Sequence, residues 1–282
     1  MICYIYDLYF RIIHKVAKLN PSLFTNDPYL TSSNLSKIVD VALSGKEEKW
    51  DLSELLKAKS IFVNSERLEE LLCILRDSPN CEYIFAGNSD RNIYEIKPEI
   101  PASIKSLFVQ NSFIKNNEKI HPLPIGIENI DYARNGFKWT MRRRIFKSER
   151  KVLIGPFGPT NPARKILIES YGRKSKYHLK VDFPTNPFLY AKLHRKHMFT
   201  LCPNGNGQDT HRVWESIYRG SWPILEENSW SRLIAERYPV LLIPSLANQE
   251  DIIKLVSDEK YKSKPPLVDS LFMDFWKNLI KK

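Results

Sequence analysis

A chain of 282 residues with 43% hydrophobic and 12% aromatic side chains can bury one large or two small cores, which excludes a disordered polymer. Its formal charge of +11 keeps polyanions among the candidate partners, while four scattered cysteines form neither a CxxC pair nor a zinc spacing with histidine. No run reaches the ~18 apolar residues that a membrane span needs.

The charge is concentrated. Lys138 to His197 hold 16 Lys/Arg and 3 Asp/Glu, a net of +13, and the other 222 residues sum to −2. Such a block could serve a nucleotide diphosphate, an acidic glycan or an anionic membrane surface. No zinc finger, RNP motif or GXXG loop accompanies it, so nucleic acid is not expected.

In chain order, residues 1–19 read as an amphipathic helix without the basic start and cleavage site of a signal peptide. Pro21, Asn26, Asp27 and Pro28 then mark a loop. Leu35–Leu43 and Leu52–Ala58 are short helical candidates, and Ser60–Asn64 reads as a strand. Ser65 caps a helix with Leu68, Leu71, Leu72 and Leu75 at helical spacing. Cys81–Ala86, Ser106–Gln110 and Ile120–Ile127 follow as strand-like runs, each ending in polar residues that include Asp90 and Glu128. Strands alternating with helices predict an α/β layer with a mostly parallel sheet, whose strand ends line a ligand crevice.

Asp131–Lys151 is a basic linker whose Arg142–Arg144 triplet reads as a solvated helix face. Val152–Pro156 opens a second half as a strand, and Asn161 with Pro162 starts a helix to about Ser170. Arg164 falls in that helix's first turn, where the dipole prefers an anion, so Thr160, Asn161 and Arg164 are candidate contacts to the donor phosphates or the acceptor. Tyr177–Val181 is a further strand and Asn186–Arg195 a helix. After the central unit, Glu226–Trp230 reads as a polar loop, Val240–Pro244 as a strand, Glu250–Ser257 as a helix and Leu267–Lys281 as an amphipathic helix. Cys73 and Cys202 lie in apolar runs and are expected to be buried.

The central unit is Met198–Leu225. A strand, Met198–Pro203, leads into the loop Asn204, Gly205, Asn206, Gly207, Gln208 and Asp209, and Thr210 or Asp209 caps a helix that Gly220 stops. Free N–H groups and the helix dipole at such a place suit a phosphate. His211 and Arg212 put cationic or hydrogen-bonding side chains in the first turn, and Glu215 shares a face with His211. Glu215 could accept hydrogen bonds from ribose hydroxyls; the alternative is an ion pair with Arg219 or His211. There is no DxD motif or His/Cys ligand cluster, which favours neutralising a leaving diphosphate with arginine and helix dipoles over a bound cation.

The run from Cys202 to Leu225, CPNGNGQDTHRVWESIYRGSWPIL, resembles the nucleotide-sugar signature of exostosin-like glycosyltransferases and of related bacterial enzymes that build capsule and lipopolysaccharide glycans. Arg212, Glu215 and Pro223 match its pattern in order, over about 50 residues, and FAGNSD, LFVQN and LPIGIEN are similar to the N-terminal half of the bacterial group. One departure is Gly87, where the resembled sequences often carry His.

The resemblance implies a GT-B-like α/β fold: two Rossmann-like domains, a cleft between them and a C-terminal helix crossing back. The expected bounds are 1–137 for an acceptor-side domain, 138–151 for the linker, 152–265 for the nucleotide-sugar domain and 266–282 for the helix. The implied activity is transfer of a sugar from a nucleotide-sugar donor to a cell-surface glycan or glycolipid, without metal or cofactor. Asp90, or failing it Glu128, would be the base, and Arg212 would stabilise the leaving phosphate. The expected setting is cytoplasmic or peripheral at the inner membrane. The alternative from another class is a non-catalytic polyanion-binding protein with a degenerate cleft.

Overall fold

The computed structural model describes residues 25–47, 49–130, 136–143, 149–182 and 187–281, with Ile12, Val16 and Leu19 ahead of them. Those three are helical; the rest of the expected N-terminal helix, Cys3 and part of the linker lie outside the described residues.

The first half is a parallel sheet of β1 (Val41–Leu43), β2 (Ser60–Asn64), β3 (Tyr83–Gly87), β4 (Ser106–Val109) and β5 (Ile120–Pro122), lying side by side in chain order. Its strands alternate with period two. Ile61, Val63, Ile84, Ala86, Leu107 and Val109 face a core built with Leu55 of α2 (Leu52–Leu55) and with Leu68, Leu71 and Leu72 of α3 (Leu68–Ile74). The intervening Phe62, Phe85 and Phe108 are in register across three strands and face the other way.

Parallel strands taken in sequence with right-handed crossovers send their connections to one face and leave the other bare. Here the phenylalanine row is covered by Leu35, from α1 (Ser32–Ser36), and by the last helix of the chain. Trp276 on that helix, Met273–Ile280, meets Phe85 and Phe108 edge-on at ring distances of 5.7 and 5.0 Å. The C-terminal helix therefore does cross back onto the first sheet.

The second sheet joins β6 (Glu149–Ile154), β7 (His178–Lys180), β8 (His197–Leu201), β9 (Trp222–Glu226) and β10 (Leu241–Ile243), all parallel, in the order β7-β6-β8-β9-β10. Helices lie on both faces. Leu167 of α4 (Pro162–Ser170) and Ile252 and Val256 of α8 (Gln249–Ser257) pack on one. On the other lie Val213, Trp214 and Ile217 of α6 (His211–Arg219) and Trp230 and Ile234 of α7 (Ser229–Ala235). α5 (Pro187–Lys196) buries Tyr190, Ala191 and Leu193, and the crossing-back helix is α9.

Four local expectations are corrected. Leu35–Leu43 is no single helix: α1 ends at Ser36, and Val41–Leu43 pairs with Ile61–Val63 as an edge strand. Glu226–Trp230 is not all loop, because Asn228 and Ser231 form a reciprocal cap that starts α7 and sends Trp230 into the core at 1% exposure. Cys73 is exposed, since the leucines at 68, 71 and 72 claim the inner face of α3; Cys202 is buried. In the arginine triplet, Arg142 is exposed but the half-buried Arg143 turns inward, donating from Nη2 to the carbonyls of Ile217 and Pro265, both at 2.8 Å.

Candidate functional site

Strand order locates a crevice. The chain leaves β6 for β7 on one side and returns to β8 on the other, so the carboxyl ends of β6 and β8 open a gap between diverging connections. Two arginines brace this gap in exchanged fashion. Arg164, on the helix that follows β6, donates from Nε to Asn204 O at 2.6 Å and from Nη2 to Pro203 O at 3.2 Å, carbonyls of the loop after β8. Arg212, on the helix that follows β8, donates from Nη1 to Gly155 O at 3.1 Å and from Nη2 to Pro156 O, carbonyls of the loop after β6. The Phe157 ring lies 5.6 Å from the Arg164 guanidinium and 5.3 Å from that of Arg212.

Neither arginine has a carboxylate within ion-pair distance among the described residues. Burial, and secondarily the positive charge of Arg212, pull the Arg164 pKa down to about 10. Beneath them, Arg219 Nη1 lies 3.2 Å from Glu215 Oε2, to which the Tyr190 hydroxyl also donates at 2.9 Å. Glu215 and Arg219 are 2% and 0% exposed. The i,i+4 ion pair is thus the geometry the fold adopts, and Glu215 supports α6 from within rather than facing the gap. Arg212 is likewise buried, and Arg164 is half-buried.

The N-terminus of α6 enters the same region. Thr210 occupies the cap position, yet its buried hydroxyl makes no hydrogen bond among the described residues. Gly220 closes the helix in a left-handed conformation, with its N–H on the carbonyls of Ser216 and Ile217. Asn161 caps α4 by accepting from Arg164 N at 2.9 Å and ties that cap to the glycine loop through Nδ2 to Gly205 O at 2.7 Å. Thr160 Oγ1 accepts from Arg164 Nη1 at 3.3 Å. Thr160, Asn161, Arg164, Asn204, Gly205, Thr210 and Arg212 therefore meet in one place, as the sequence pattern anticipated.

Asp209 does something else: it ties the two sheets together. Its Oδ2 accepts from Ile125 N and its Oδ1 from Trp214 Nε1, both at 2.7 Å, while its own N–H donates to Asn111 Oδ1 at 2.8 Å. Asn111, at the end of β4, adopts a positive φ of 52°. Gly207 packs directly on it, and a Cβ at that position would come 3.0 Å from Asn111 Nδ2. Burial raises the Asp209 pKa to about 7 against the lowering effect of its hydrogen bonds.

Beside this tie, loops of the N-terminal half line a cleft of about 810 Å³ that His211 enters from the C-terminal half. Its lining is polar apart from Ile125, and its charges balance: Lys46 and Arg91 against Glu66 and Asp90. The exposed Asp90 is met by Asn206 Nδ2 at 3.4 Å from the glycine loop. Asn129, rather than Glu128, is the residue of that segment lining the cleft. His211 lines it too, with Nδ1 2.9 Å from Gly126 O.

Sequence reasoning missed Phe157 and Tyr190, and had Arg219 only as the alternative partner of Glu215 and Asn111 only as a polar strand end. Phe157 had a local signal, its place in the loop behind a strand; Tyr190 and Asn111 act through partners 25 and 98 positions away. Among the described residues there is no His/Cys/Asp/Glu group able to hold a metal ion, and no helix long and apolar enough to cross a membrane. No protein-family model matches the chain, and no curated protein matches it either.

Proposed function

We propose that this chain is a glycosyltransferase that moves a sugar from a nucleotide-sugar donor to a glycan acceptor, in a GT-B-like arrangement with the donor on the C-terminal half. The observation that carries the reading is the buried Arg212 with the half-buried Arg164 at the β6/β8 crevice, neither of which has a carboxylate partner among the described residues. Buried charge without a counter-ion is costly, and an anionic ligand removes the cost. The diphosphate of a nucleotide sugar carries two negative charges and is long enough to meet both arginines and the α6 N-terminus. As the sugar leaves, charge on that diphosphate grows, so fixed guanidinium groups stabilise the transition state more than the ground state.

The cleft on the other side supports a hydroxyl-rich, uncharged acceptor. Its lining offers hydrogen-bonding groups of both kinds and balanced charge, unlike the one-sign field that would draw in a polyanion. Asp90 is the carboxylate that lines the acceptor side beside Glu66, with Glu128 further along the chain. The test is a thermal-shift panel of UDP, GDP, CMP and dTDP with their sugars, with and without EDTA. A fitting donor at a hundredfold excess over its Kd adds ~2.7 kcal/mol of stability, and its turnover survives chelation. A panel in which no nucleotide stabilises the protein would remove the proposal.

A further inference from the structure

We infer that His211 is the residue that takes the proton from the acceptor hydroxyl, an assignment that rests on the glycosyl-transfer reading above. A carbonyl oxygen only accepts hydrogen bonds, so the 2.9 Å contact with Gly126 O puts the ring proton on Nδ1. Nε2 is then the basic nitrogen, and it has no protein partner among the described residues of the cleft that His211 lines.

The orienting carbonyl is itself fixed. Gly126 has φ +72°, and a Cβ on it would lie 2.0 Å from the carbonyl oxygen of Leu30, so this turn admits only glycine. Gly126 belongs to the N-terminal half and His211 to the C-terminal half. The ring is therefore aimed only when the two halves are together, the arrangement that also juxtaposes donor and acceptor.

His211 is the first residue of α6, at the end of the helix that also points toward the β6/β8 crevice. The charged groups around it are Asp90, Arg91 and the Lys46–Glu66 ion pair from the N-terminal half, and Asp209 and Arg212 in its own segment. Asp90 is exposed and engaged by Asn206, and a solvated carboxylate is a weaker base than imidazole. In the step, the acceptor oxygen forms a bond to the anomeric carbon while the bond from that carbon to the diphosphate oxygen breaks. The hydroxyl proton passes to Nε2, the electron pair of the broken bond leaves on the diphosphate, and the new imidazolium forms beside that growing negative charge.

The test compares wild type with His211→Asn, whose side-chain amide can still donate to Gly126, using the best-stabilising donor of the panel and simple methyl glycosides as acceptors. Donor affinity by calorimetry should stay within about twofold while turnover falls by roughly 10²- to 10⁴-fold. The wild-type rate should fall along an acid limb as the accepting group takes up a proton, and the residual rate of the variant should lack that limb. Retained turnover, or a retained limb, would overturn the role of His211 and leave the glycosyl-transfer reading standing. Parallel loss of donor affinity would make His211 a donor contact instead. A limb removed by Asp90→Asn and kept in His211→Asn would give the proton to Asp90. Failure of every donor to bind would overturn the inference together with the reading it rests on.

Discussion

In the N-terminal sheet the strands lie side by side in chain order; in the C-terminal sheet β6 sits between β7 and β8. The first arrangement has no point where successive connections diverge, so its strand ends offer polar loops and little else. The second has one, and the chain has placed a buried and a half-buried arginine, a phenylalanine and a helix N-terminus without a side-chain cap there. The means of cohesion differ as well. The N-terminal half is held by an apolar row, Phe62, Phe85 and Phe108 under Trp276, whereas the helix beside the crevice stands on a buried ionic group, Tyr190, Glu215 and Arg219. An apolar cover can hold a sheet together without specifying a ligand; a buried arginine with no carboxylate partner among the described residues asks for one.

Substitutions can break that contrast. Trp276→Ala should cost about 3–5 kcal/mol, the range for truncating a fully buried aromatic, read as a fall in the denaturant midpoint. Donor affinity should be retained below the transition, since the crevice lies on the other sheet. Glu215→Ala should also cost about 3–5 kcal/mol, because it leaves the Arg219 charge in the core without its Glu215 carboxylate. Here the sharper arm is the double replacement Glu215→Met with Arg219→Met, which removes both charges and should recover most of the loss. If Glu215→Ala instead kept its stability and lost nucleotide affinity, the carboxylate would face the ligand and the ion-pair account of α6 would fail.

A smaller effect separates the tie between the halves from the core beneath it. Asp209 has a folded pKa raised to about 7 from an ordinary 3.8, so the folded state binds more protons than the unfolded one between those values. Its contribution to stability is complete at low pH and is lost as pH rises from about 4 to about 7. The buried His194 works the other way: burial first, then Arg219, hold it well below its ordinary value, so its contribution is lost as pH falls below about 6.5. The two partly cancel in the wild type. The stability difference between wild type and Asp209→Asn should therefore shrink as pH rises, by up to about 1.4 kcal/mol per unit. A difference independent of pH between 4 and 7 would mean that Asp209 is ionised throughout.

Much of the fold was legible because its signals are local. Ile61, Phe62 and Val63 announce a strand, Leu68, Leu71, Leu72 and Leu75 a helix, and Gly220 a helix stop, each within a few residues. Val41–Leu43 was not, since three residues are too few to show alternation and its strand character comes from pairing with β2. The opposition between basic side chains and the helix dipole in the Asn204–Arg212 segment was visible in the sequence. What it could not show is that Arg164 and Arg212 each reach the other's strand, that Glu215 turns to Tyr190, or that His211 meets Gly126 across the cleft. These contacts span 25 to 85 positions and are set by strand order, for which a single sequence carries no periodic signature.

The central claim is that Arg164 and Arg212 together receive a diphosphate. It is tested most directly by titrating the nucleoside diphosphate that stabilises the protein best into wild type, Arg164→Ala, Arg212→Ala and the double variant by calorimetry, at one fixed salt concentration. Each charge-assisted contact is worth about 1.5–3 kcal/mol. Each single variant should then lose roughly 10- to 100-fold in affinity, and the double variant should show no measurable binding at millimolar ligand. Wild-type affinity in both single variants, with the fold intact by melting, would contradict the account.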